Sequence, residues 1–125
     1  MSYPAGNVYP PPPPPRHNAY ERAHAANQSG DATASVTITT DRVTMLEALG
    51  FGHNNHYNAY TTTAYLVVDG VTVGSASAAT TWFNASFKYY KENAPPGSHS
   101  ASARCYTSET SYSTVASVGL GAVGA

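Results

Sequence analysis

Pro10 to Pro15 are six consecutive prolines. A proline has no N–H and a φ fixed near −65°, so this run can join neither a helix interior nor a sheet ladder. It favours polyproline II, at about 3.1 Å per residue and hence roughly 19 Å of stiff chain. The run divides the sequence. Ahead of it stands Met1-Ser-Tyr-Pro-Ala-Gly-Asn-Val-Tyr9, with little apolar surface to bury, while from about Thr33 onward the chain is dense in Thr, Ser, Val, Ala and Tyr. The expected organisation is an extended Pro-rich arm over residues 1–32 and one β domain over residues 33–125.

A chain of 125 residues fits a single domain. Six Lys and Arg against seven Asp and Glu give a formal net charge of −1, and 10% of residues are charged. The average soluble domain has roughly 25%. The basic residues Arg16, Arg22, Arg42, Lys88, Lys91 and Arg104 are scattered. Phosphate backbones need clustered Lys and Arg, so nucleic acid is not an expected partner. Ten Tyr, thirteen Ser and fourteen Thr imply a surface solvated by hydroxyls, which repels neighbours weakly and suits dense packing in an assembly. Cys105 is the single cysteine, so no intrachain disulfide is expected. The first residues show no basic stretch followed by an apolar one, and no apolar run approaches 18 residues. Neither a secretory signal nor a membrane partner is expected.

Within the arm, Tyr3 and Tyr9 flank the prolines as candidate anchors, and Ala19, Ala23 and Ala26 at helical spacing predict a short helix from Asn18 to Gln28. Ser29-Gly30-Asp31 breaks it. The β domain is legible in alternation. Ala34, Val36 and Ile38 share one face of a strand; Phe83, Ala85, Phe87 and Tyr89 share a face of another, with Trp82, Asn84, Ser86 and Lys88 opposite. His99, Ala101, Ala103 and Cys105 form a third inward set, and Ala116, Val118 and Leu120 a fourth. Asp69-Gly70, between Ala64-Tyr-Leu-Val-Val68 and Val71-Thr-Val73, predicts a type I′ hairpin turn. The stretch from Val43 to Gly52 fits a helical turn or an irregular strand, Gly50 to His56 reads as a loop, and Ser75 to Thr81 as a loop or sheet edge.

Pro96-Gly97-Ser98-His99, leading into an alternating strand, resembles the E–F corner of immunoglobulin-like and fibronectin-III-like sandwiches. Ala101 and Ala103 stand where those families prefer Val, which implies a tighter or thinner core. The resemblance implies an all-β, immunoglobulin-like antiparallel β-sandwich preceded by the extended arm. With the arm, the architecture also resembles the accessory capsid decoration proteins of tailed-phage virions. That resemblance implies a non-enzymatic structural protein on a virion surface, made in a host cytoplasm. The arm would dock it to protein partners, the major capsid protein among them, or to further copies of itself. Its partner-binding residues would be Tyr3, Tyr9, Pro10, Pro11, Pro12, Pro13, Pro14 and Pro15. The alternative is an adhesion or carbohydrate-binding β-sandwich module at a cell surface, reached by another export route, with exposed Tyr and Trp stacking on sugars.

No catalytic signature is present, and no cofactor is expected. His53-Asn-Asn-His56 sets two imidazoles three apart, and a metal would need a third ligand such as His99 or Glu47. Solvated loop histidines are the better reading, so no metal is expected. Cys105 and His99 lie six apart on one strand, roughly 20 Å by strand rise, too far for a nucleophile and its base. His99 is expected to bond a backbone group at the corner, and Cys105 to fill the core. Asn27-Gln-Ser and Asn84-Ala-Ser match the glycosylation pattern.

Overall fold

The computed structural model describes residues 18–55, 60–108 and 113–124, without the side chains of Asn18, Asn27 and Gln28. Eight strands occur among them: β1 Asn18–Ser29, β2 Asp31–Thr40, β3 Thr44–Asn55, β4 Thr61–Val68, β5 Val71–Ala79, β6 Trp82–Ala94, β7 Gly97–Thr107 and β8 Ser113–Gly124. They form two four-stranded antiparallel sheets. The order is β1-β8-β3-β6 in the front sheet and β2-β7-β4-β5 in the back sheet.

The antiparallel all-β sandwich is therefore present. Its pairing is that of a long hairpin wound on itself, with β1 on β8, β2 on β7, β3 on β6 and β4 on β5. This is the jelly-roll order. An immunoglobulin sandwich keeps its first two strands in one sheet; here β1 and β2 lie in opposite sheets, and Gly30 turns between them with φ 77°. The Pro-Gly corner is a local motif that either connectivity accommodates.

The predicted helix over Asn18–Gln28 is strand β1. Its alanines fit periods of both 3.6 and 2. Pairing with β8 selects the second: Ala19, Ala23 and Ala25 are partly buried against the core, and Tyr20, Arg22 and His24 face out. The sandwich thus extends back to Asn18, across the boundary expected at residue 32. The loop expected from Gly50 is likewise strand, to Asn55. Gly50 and Gly52 face the core, where a Cβ on Gly52 would lie 2.7 Å from Ala64 Cβ and 3.0 Å from Cys105 Cβ. Their glycines reflect a close approach of the two sheets.

The hairpin turn is as expected. Asp69 and Gly70 have φ of 48° and 80°, and β4 and β5 pair on either side. All four inward sets lie against the core, with Phe87 and Tyr89 at its rim. Ten of its nineteen buried hydrophobic residues are alanine, so the layer between the sheets is thin, and Leu46, Leu66, Leu120 and Phe83 supply its bulk.

Candidate functional site on the front sheet

The two outer faces differ in chemistry. On the back sheet, β2 exposes Thr33, Ser35, Thr37 and Thr39, paired with Arg104, Ser102, Ser100 and Ser98 of β7. On the front sheet lie Tyr20, Met45, Trp82, Tyr90 and Val123, five of the seven exposed large hydrophobic residues among those described. The register sets them in rows. His24, Ser117, Phe51 and Ser86 form one row; Arg22, Gly119, Leu49 and Lys88 the next; Tyr20, Gly121, Glu47 and Tyr90 a third.

Two hollows follow from this pattern. β8 presents Gly119 and Gly121 outward, so the middle of the face has no side chains and Tyr20 folds across it. A Cβ on Gly119 would lie 2.5 Å from Tyr20 Oη, and one on Gly121 3.0 Å from its Cδ2. On one side of Tyr20 is a groove of about 720 Å³, lined by Tyr20, Arg22, His24, Leu49, Phe51 and Lys88 among others. On the other side is a hollow of about 280 Å³ with Glu47, Gly121 and Val123.

Beside the groove runs a file of rings. Phe51 and His53 lie 6.4 Å apart and within 12° of parallel, and His53 lies 5.9 Å from Trp82. Trp82 is 62% exposed. His53 Nδ1–H donates to the Phe83 carbonyl at 3.0 Å and to Asn84 Oδ1 at 2.9 Å, which fixes the ring. Both partners are acceptors, which assigns the proton to Nδ1. Asn55 pairs with Trp82 across the strands, and Ser86 with Phe51, so amide and hydroxyl groups rim the rings. The sequence showed Trp82 as outward but not its neighbours. Their meeting depends on the β3–β6 register, which local periodicity does not carry.

Tyr3, Tyr9 and Pro10 to Pro15 lie outside the described residues, as does His56. His53 is on the front sheet, and His99 is inside the back sheet, at the β6–β7 corner. Among the described residues no three of His, Cys, Asp and Glu gather at metal-binding range. His99 Nε2–H donates to the Pro95 carbonyl at 2.7 Å, the backbone bond expected, and Nδ1–H donates to Asp69 at 2.7 Å, a partner the sequence did not reveal. Burial raises the Cys105 thiol to about 11, so it is a packed, protonated core group. Arg104 clamps Asp31 with two bonds of 2.9 and 2.7 Å, reaches Tyr65 Oη at 3.3 Å and lies 4.4 Å from the Tyr106 ring centre. That cluster ties the edge strand β2 to β7 and β4.

His24 Nδ1 and Ser117 Oγ are hydrogen-bonded across β1 and β8. A Ser–His pair also needs donors for an oxyanion and a group to orient the imidazole. β8 lies between β1 and β3 and pairs with both, which occupies its amides in the ladders. Among the described residues no carboxylate holds the His24 ring, whose bond is to Ser117.

No protein-family model matches the chain, and no curated protein does. Solved structures do. The chain matches part of PorU from Porphyromonas gingivalis with a TM-score of 0.53 at 9% identity, over 87% of this chain and 13% of that one. It thus spans about an eighth of the PorU chain. A CBM36-1 domain of a multidomain xylanase from the hindgut metagenome of Trinervitermes trinervoides is similar over 86% of this chain and 98% of its own, at TM-score 0.43 and 13% identity. A Bacillus endospore appendage subunit, of a family of disulfide-linked pili, is similar over 95% and 99%, at TM-score 0.45 and 10% identity. At these identities the likeness is one of fold, and function has to be argued from the site.

Proposed function

We propose that the chain is a non-catalytic binding module that takes a glycan on the outer face of its front sheet. The observation that carries this reading is the exposed file Trp82–His53–Phe51 with its polar rim. A pyranose has an apolar C–H face and a hydroxyl edge. Aromatic rings accept the first, and Asn55, Asn84 and Ser86 are placed to bond the second. The site is shallow, so affinity should be modest, near millimolar, or about −4 kcal/mol. The file itself bears no carboxylate or ammonium, which suits a neutral sugar. The test is affinity electrophoresis against a panel of soluble polysaccharides, with Trp82→Ala as control. Retardation by at least one glycan, abolished in the variant, is expected. Equal mobility of both proteins in every gel would contradict it.

A second reading is a subunit of an assembly, as the arm suggested. What favours it is that Tyr20, Met45, Tyr90 and Val123 share the front face with the groove rather than being scattered over the surface. A virion surface is one setting for such a subunit and a cell surface another.

A further inference from the structure

We propose that the front-sheet groove is the seat of residues 1–17 of a neighbouring copy, so that copies join head to tail. The proposal rests on the assembly reading; the groove shares Phe51 and Ser86 with the proposed glycan site, while Trp82 and His53 lie outside its lining.

Three observations converge. The first is where the segment attaches. Asn18 opens β1, the edge strand of the front sheet, opposite Val123, beside the smaller hollow. The seventeen preceding residues are therefore attached at the margin of the apolar face. The second is shape. The groove follows β8 from Gly119 to Ser117, about 7 Å by strand rise. Six prolines reach roughly 19 Å, enough to fill it. The Tyr20 ring lies over Gly119 and Gly121 and walls one end, and beyond it the groove is bounded by Arg22 and His24 on one side and Leu49 and Phe51 on the other.

The third is chemistry. A proline run offers ring faces and carbonyl acceptors and no donors. Its receptors are aromatic-lined grooves with donors at the margin. Here Tyr20 and Phe51 supply rings, and Arg22, Lys88 and Ser117 supply donors. Arg16, the sole charged side chain of the segment, finds a carboxylate in Glu47 of the smaller hollow. Between Pro15 and Asn18 stand only Arg16 and His17. Folding back onto the same chain would need a full reversal there, and docking on a neighbour needs none. Such a heterologous contact closes into a ring or continues as a filament.

The test is sedimentation of the full-length chain over a range of concentrations, alone and with excess synthetic peptide of residues 1–17. The average mass should rise with concentration and fall to the monomer on adding peptide. Tyr9→Ala, in the segment, and Leu49→Glu, in the groove, should each weaken association at least about tenfold, as loss of a buried anchor does. An unchanged thermal midpoint shows that Leu49→Glu still folds. Association indifferent to both the peptide and Tyr9→Ala would mean that bare faces pack together: the assembly reading would survive and this proposal would fail. A monomer at every concentration, whether or not its groove amide resonances respond to Tyr9→Ala, would overturn the exchange between copies.

Discussion

His99 carries two hydrogen bonds that only one protonation state can make. Its neighbours are a carboxylate and a carbonyl, both acceptors, so both ring nitrogens must hold protons. Burial pulls the imidazolium down, but the bonds to Asp69 and Pro95 outweigh it and its pKa is raised above the ordinary 6.5. Burial pushes the Asp69 carboxyl up, and the bonds from His99 and the Ser100 amide outweigh that, so it is lowered. The signs follow. The His99 contribution is full below the ordinary histidine value and fades as pH rises through the raised one. The Asp69 contribution holds above the ordinary carboxylate value and is lost as pH falls through the lowered one. Denaturant midpoints should therefore decline as pH rises above the ordinary histidine value, and His99→Gln should remove that limb while costing about 1–3 kcal/mol below it. Gly52 faces the core between the two sheets. A methyl group added there would sit 2.7 Å from Ala64 Cβ, so Gly52→Ala must separate the sheets, and urea unfolding should show a loss of about 1–3 kcal/mol. The sequence offered the glycine but read it as a loop, because close approach of two backbones leaves the same residue type as a turn.

Strand β1 decides what a truncation does. Asn18–Ser29 covers β8 along its length, and the sandwich as described begins at Asn18. Removal of residues 2–17 spares every one of the eight strands and should leave the thermal midpoint within a few degrees. Removal through residue 32 uncovers β8 and should abolish the cooperative transition in calorimetry. Equal midpoints for the two would contradict the placement of β1. Element by element, the strands with strict alternation and branched or aromatic residues were readable: β2, β4, β6, β7 and the Asp69-Gly70 hairpin. β1 and β3 were not. Alanine is helix-favouring and small, so it marks neither period, and in β3 inward glycines erase the apolar beat. Strand order was beyond reach for a different reason. The pairing of β1 with β8 joins residues about a hundred positions apart, and nothing local in either strand names its partner.

The whole molecule is two-sided. Hydroxyls cover the back sheet, and rings and aliphatic groups crowd the front, although both sheets share one thin alanine core. The composition foretold the hydroxyls. It could not say that the apolar remainder would collect on one face, since that depends on the β1-β8-β3-β6 order. The central claim is that this face binds a glycan through Trp82, His53 and Phe51. Trp82 is the chain's one tryptophan, so its indole N–H gives a single resonance that reports on the site alone. Titration of the full-length chain with a broad panel of neutral oligosaccharides should move that resonance saturably for at least one of them. Trp82→Ala should abolish binding of the same sugar with no change in thermal midpoint, because the ring is mostly exposed. An indole resonance that stays in place across the whole panel to millimolar sugar would contradict the account.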